Sequence, residues 1–212
     1  MNYIVDHIPR NTPHNRRPGT SMHPEYITIH STGNPSSTAR NERGWLTNPS
    51  NIRTASWHIC VDEKEAVEAI PLNEVAWHAG DGNGQGNRAS IGIEICESGD
   101  REKTLRNAVQ LVAKLLKEKG WGVDRLRRHH DWSGKICPRI LQPNNWQGWK
   151  DFIKAVEKEL NSVAQKTNIP SAWAKEAWNW AKKEGLLDGT RPKDNLTREE
   201  FAVVLKKLVE KK

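Results

Sequence analysis

A chain of 212 residues has room for one domain of ordinary size and a small second unit. Its formal net charge of +7 points to a polyanionic partner, which composition alone leaves open among nucleic acid, a membrane surface and an acidic wall polymer. No apolar run is long enough to span a bilayer, so membrane insertion is not expected, and three cysteines, an odd number, argue against a disulfide framework.

The opening M-N-Y-I-V-D-H-I-P-R lacks the charged-then-apolar layout of a signal peptide, so the chain is expected to be made in the cytoplasm. Residues 1–24, rich in Pro, Asn and Arg and without a period, read as an irregular arm. Tyr26 to His30 alternates, with Ile27 and Ile29 on one side and Tyr26, Thr28 and His30 on the other, which predicts a half-buried strand ending in a histidine. A short helix is expected over 38–47. Ser56 to Asp62 and Glu65 to Ile70 then read as a hairpin turning at Glu63-Lys64.

Between Pro71 and Ala89 lies W-H-A-G-D-G-N-G-Q-G-N, too permissive for regular structure and long enough to be a binding loop. Its glycines fit neither G-x-G-x-x-G nor a Walker motif, so nucleotide binding is set aside. Trp77 and His78 are candidates to line a cleft there; a Trp that anchors the loop to the core is the alternative. Ten Trp against two Phe and two Tyr is an unusual balance, and indole faces suit stacking on sugars or bases, although most Trp serve packing.

Ser90 to Cys96 alternates again, with Ile91, Ile93 and Ile95 on one face and Gly92, Glu94 and Cys96 on the other. Glu94 therefore sits inside an apolar strand. A carboxylate in such a place must find a partner, shift its pKa or face a polar cleft. Asp100 to Lys119 carries apolar residues at helical spacing, acids early and lysines late, with Gly120 as a stop. A second packing helix is expected from Trp149 to Leu160.

The loop from Arg127 to Arg139, R-R-H-H-D-W-S-G-K-I-C-P-R, brings together two imidazoles, an ammonium and a thiol. Cys137 with His129 or His130 offers two zinc ligands, and the strand-end His30 a third. Three protein ligands and one open position make a catalytic arrangement, whereas a structural site closes with a fourth. Cys60 and Cys96, set among apolar strand residues, are read as small buried hydrophobes and not as that fourth ligand. Glu94 becomes the candidate general base and Lys135 the candidate stabiliser of an oxyanion on a carbonyl.

These residues resemble the zinc-dependent N-acetylmuramoyl-L-alanine amidases of the type-2 amidase family, which includes phage endolysins and Bacillus autolysins. The motifs are I-T-I-H-S-T, S-W-H-I-C-V-D, A-W-H-A-G, S-I-G-I-E-I-C and H-x-D-W-S-G-K-x-C-P, spread over roughly residues 20–160. The resemblance implies one catalytic zinc ion on His30, His129 and Cys137, with Glu94 and Lys135 catalytic; the choice of His129 over His130 is itself what the resemblance implies, through the family's spacing to the cysteine, and the residues alone leave it open. It also implies an α/β fold, a central mixed β-sheet flanked by helices, and peptidoglycan as substrate. Relatives of phage-lysozyme type place a catalytic Tyr where this chain has Trp57 and lack the glutamate; Trp57 cannot shuttle a proton, so Glu94 is expected to carry that role, and Trp57, Trp77 and His78 are the candidate substrate contacts. The alternative reading is a non-catalytic peptidoglycan-recognition module of the same fold. A basic zinc-stabilised nucleic-acid binder would need a closed four-ligand site, and no C-x-x-C pair is present.

The expected organisation is a catalytic domain over residues 1–162, a polar linker at 163–169 and a small all-α domain at 170–212. In the last, Ser171 caps a helix that Gly185 ends, and Thr197 with Glu200 forms a capping box ahead of a second helix. W-A-K-E-A and G-T-R-P-K-D-N-L-T-R-E-E-F resemble one S-layer-homology repeat, which implies binding of an anionic secondary cell-wall polymer; docking on the amidase or on another copy is the other expectation. The resemblance further implies action on the cell wall after release from the cell.

Overall fold

The computed structural model describes residues 1–167, 170–190, 192–193 and 195–210. It divides into two compact units, Met1–Glu159 and Leu160–Lys212.

The first unit is built on a six-stranded mixed sheet: β1 (Asn2–Val5), β2 (Tyr26–Ser31), β3 (Ile59–Val61), β4 (Glu65–Glu68), β5 (Ser90–Ile95) and β6 (Leu126–Arg128), in the order β1-β4-β3-β5-β2-β6. Every pairing is parallel except the hairpin of β3 with β4. Asp62 makes the hairpin turn, its Oδ1 accepting from the Lys64 and Glu65 amides. The alternation in β2 and β5 is realised in the pairing: Ile27 lies opposite Ile91 and Ile29 opposite Ile93, while His30 lies opposite Glu94. All four isoleucines are fully buried.

Helices α1 (Ala39–Trp45), α2 (Gln85–Arg88), α3 (Arg101–Lys119), α4 (His129–Ser133) and α5 (Pro143–Thr167) flank the sheet or run beyond it. α3 lies against β3 and β5, burying Ala108, Leu111, Val112, Leu115 and Leu116. Gly120, with φ 67°, ends it as the sequence predicts, and the side chain of Asp100 caps its start. α1 lies against β3 and β4, and its Ala39 joins Ile8, Leu46, Trp57, Cys60, Val67 and Cys96 in one buried cluster. Cys60 and Cys96 are free thiols 3.4 Å apart inside it.

The N-terminal stretch differs from the expected irregular arm. Asn2–Val5 is an edge strand on β4, too short at four residues for its alternation to stand out. Further along, Arg16 is buried and donates to the carbonyls of Leu46, Asn51 and Arg53, and Arg17 grips Glu74 through two nitrogens.

α5 also departs from the expectation. Its first residues Asn144, Asn145 and Trp146 have positive φ, and the helix runs past the expected end at Leu160 to Thr167, into the 163–169 stretch expected to be linker. Asn, Ser, Gln and Lys oppose a helix only weakly. Residues 168 and 169 lie outside the described set.

The second unit carries α6 (Lys175–Lys183) and α7 (Arg198–Glu210). Thr197 and Glu200 form the expected capping box, and Gly185 follows α6 at φ 66°. Ser171 precedes a single 3-10 turn and its side chain makes no cap. A cleft of about 590 Å³ lies between the helices, walled by Trp178, Leu186, Leu187, Val203 and Val204. No helix among the described residues is long and apolar enough to cross a membrane.

Candidate metal centre and active site

His30 is the fifth residue of β2, on the side that carries Thr28, and its strand neighbour Glu94 points the same way from β5. β6 then brings the 127–139 loop alongside β2. Within that loop α4 starts at His129, and the His130 amide donates to the Cys137 carbonyl, folding Cys137 back toward the helix start. Arg139, whose guanidinium takes both carboxylate oxygens of Glu97 just after β5, fastens the far end.

His30 Nδ1 consequently lies 3.0 Å from His129 Nδ1 and 3.7 Å from Cys137 Sγ. These three buried donors form one group within 4.8 Å, the one candidate metal cluster among the described residues. Zinc ligands about 2.0–2.1 Å (nitrogen) and about 2.3 Å (sulfur) from a shared ion lie roughly 3.3–3.6 Å apart, and the 3.0 and 3.7 Å distances from His30 are close to that. His130 stands apart, its ring edge-on to Trp146 at 5.1 Å between centroids.

The electrostatics fit a cation equally well. Burial, reinforced by His78, His129 and Lys135, pushes His30 well below the ordinary histidine range. His129 is pushed down to about 4 by burial and by Lys135. Both rings are therefore neutral and able to donate a lone pair. Glu94 Oε1 is 3.9 Å from His30 Nδ1, and Glu94 Oε2 is buried without a hydrogen-bond partner. Burial, then the charge of Glu42, pushes the Glu94 carboxyl up to about 8, with Lys135 opposing. Burial, then Glu94, pushes the Cys137 thiol up to about 12. Ionising this carboxyl and this thiol together calls for positive charge between them, which a divalent cation supplies. Lys135 is exposed at the rim and its charge reaches His30, His129, Glu94 and Cys137.

The other sequence candidates lie elsewhere. Trp57, a candidate substrate contact from the sequence, is 9% exposed and belongs to the buried cluster that Ala39 of α1 joins. His78 is also interior, behind His30, with its Nδ1 3.0 Å from His30 Nε2 and its Nε2 3.2 Å from the Ser90 carbonyl. Trp77 is half-buried and donates its Nε1–H to the Asn15 carbonyl, so it ties the glycine-rich loop to the N-terminal segment.

Sequence reasoning missed the residues that shape this loop. Asn87 Oδ1 accepts from the amides of both His78 and Ala79, and Asp81 accepts from those of Gly86 and Asn87. Trp132 Nε1 donates to Thr28 Oγ1 and so pins α4 to β2. Asp and Asn among glycines signal turns, but nothing in their spacing tells which amides they will reach.

A family model described as N-acetylmuramoyl-L-alanine amidase matches residues 20–140. The chain is 49% identical over 157 residues to the amidase CwlA of Bacillus subtilis (strain 168), covering 71% of this chain and 56% of that one. It is 49% identical over 164 residues to XlyB of the same organism, covering 74% of this chain and 50% of XlyB. This chain thus spans about half the length of those curated relatives. Among solved structures, the catalytic domain of XlyA superposes with a TM-score of 0.67 at 44% identity, covering 74% of this chain and 99% of that domain. The PlyL structure gives a TM-score of 0.67 at 35% identity, covering 75% and 99%. The mixed sheet with flanking helices is the architecture of those catalytic domains.

Proposed function

The chain belongs to the N-acetylmuramoyl-L-alanine amidase family, and from that premise we propose that it is a zinc-dependent peptidoglycan hydrolase cleaving the amide between N-acetylmuramic acid and L-alanine. The observation that carries the reading is the convergence of His30 Nδ1, His129 Nδ1 and Cys137 Sγ beside the unpartnered Glu94 carboxyl oxygen.

His30, His129 and Cys137 are the residues that would hold the ion. When bound, the ion would supply Lewis-acid chemistry, polarising a carbonyl and lowering the pKa of a water. Glu94 takes the proton from the attacking water and delivers it to the leaving alanine nitrogen. For this it must be ionised, and positive charge beside it, Lys135 included, lowers its raised pKa. Lys135 offers its ammonium to the oxyanion that forms on the carbonyl carbon. His30, His129 and Cys137 are buried and the Glu94 side chain is only 14% exposed, which limits screening of these charges by bulk water.

Incubating purified cell walls with the protein tests the reaction. New L-alanine amino termini should appear without new reducing sugar ends, and a zinc chelator should stop their release. Reducing ends in place of amino termini would assign the chain to glycan cleavage and sink the reading.

We also read residues 170–212 as the part that holds the enzyme to the wall, through an anionic secondary polymer. The chain's +7 charge and the exposed indoles of Trp173 and Trp180 support a polar, sugar-containing polyanion as ligand.

A further inference from the structure

Resting on the zinc reading of the site, we infer that His78 is a positioning residue: it fixes which ring nitrogen of His30 faces the metal, through a relay anchored on the Ser90 carbonyl. A carbonyl oxygen only accepts hydrogen bonds, so the 3.2 Å contact from His78 Nε2 to Ser90 O puts the His78 proton on Nε2. A neutral imidazole protonated there has only a lone pair at Nδ1. That lone pair lies 3.0 Å from His30 Nε2, which must therefore carry the proton of His30. His30 Nδ1 is left bare, and it is the atom that faces His129 Nδ1 and Cys137 Sγ. Running the relay the other way would set two lone pairs against each other at Ser90 and turn an N–H of His30 into the metal site.

A ligand histidine usually donates its outer N–H to a carboxylate or a carbonyl. Here the acceptor is a second imidazole, which accepts in only one of its two tautomers, so the Ser90 contact is part of the device. The backbone makes room for it. A Cβ on Gly92 would come within 2.6 Å of His78 Cγ, so the ring lies where a side chain at residue 92 would be. Asn87 clamps the amides of His78 and Ala79. His129 in turn is hydrogen-bonded to the main chain of Ala79, with its Nε2 side against Gly80. The His78-Ala79 dipeptide thus orients both imidazole ligands from behind.

The test uses the full-length chain. In long-range proton–nitrogen-15 spectra of the metal-free protein, His30 and His78 should both appear as the Nε2–H tautomer. His78→Phe fills the same space without an acceptor and should weaken zinc binding about 10- to 100-fold in competition with a chromophoric chelator. His78→Asn, whose Oδ1 takes the place of Nδ1, should hold zinc several-fold more tightly than His78→Phe. A His30 proton on Nδ1, a Phe variant binding zinc like the wild type, or an Asn variant no better than Phe would each overturn the inference. Should either variant fail to fold, the wild-type spectrum still decides. A wild-type chain that binds no zinc defeats the metal reading itself, while the tautomer measured without metal still judges the relay.

Discussion

Glu94 is held in a state that its surroundings penalise. Its folded pKa of about 8 stands above the ordinary 4.5, so the folded, metal-free protein holds a proton that the unfolded chain releases. Stability that is full below about 4.5 should therefore decline as pH rises toward 8 and then level off. Glu94→Gln removes that burden. Metal-free Glu94→Gln should gain stability over metal-free wild type on raising the pH through this window, with the gap constant below it, as read by urea unfolding; parallel curves throughout would mean the carboxyl is not desolvated. With zinc restored, the same variant should keep the metal and lose turnover about 10²- to 10⁴-fold, since a proton carrier is gone. Lys135→Ala should also keep zinc and lose about 10²- to 10³-fold, whereas Cys137→Ser should lose the metal itself because a hydroxyl is a poorer ligand than a thiolate. Metal analysis beside the rate assay separates the two classes, and metal loss in Glu94→Gln or Lys135→Ala would make those roles structural.

At the scale of elements, β5 joins the core to the site. Its isoleucines are fully buried on one side, and its other side presents Gly92 and Glu94 to the histidines. Gly92→Ala should cost about 1–3 kcal/mol, because the added methyl meets the His78 ring at 2.6 Å and that ring is boxed in by His30, His58 and Ser90. The cost should come with weaker zinc binding, since His78 has to move. Gly120→Ala provides the contrast. That glycine ends α3 at φ 67° with nothing near its Cβ position, so the variant should lose about 1 kcal/mol from strain alone and bind zinc normally. Equal zinc affinity in the two variants would show that β5 and the metal site are not coupled.

For the whole molecule, the proposed catalytic groups all lie before residue 140, inside the unit that ends at Glu159. Because α5 runs to Thr167, a truncation that respects the helix falls after that residue and not inside it. Such a truncation should cleave a small soluble muropeptide at the full-length rate. It should bind purified walls more weakly, most of all walls rich in anionic polymer, because a tethered second contact raises effective concentration. Rising salt should narrow the difference as it screens the charge. Equal wall binding by both forms would refute the targeting role of residues 170–212, and loss of muropeptide cleavage by a folded truncation would place part of the site in the tail.

Period-two alternation made β2 and β5 legible by themselves, with His30 and Glu94 on their polar faces, because the side on which a strand residue points is a local property. The glycine that ends α3 and the box at Thr197 were legible for the same reason: each is a feature of residues within one turn of one another. What the sequence could not decide were pairings across distance. That Asn2–Val5 completes the sheet depends on β4 offering an open edge some sixty residues later. That His129 rather than His130 faces His30 follows from where β6 and the first turn of α4 aim two adjacent rings. Trp57 became a core residue once α1 closed over it, and His78 met His30 instead of the cleft because Gly92 leaves a hollow in β5. Side-chain direction is set by the backbone next door, but what stands at the end of it is set by chain segments that only the folded protein brings together.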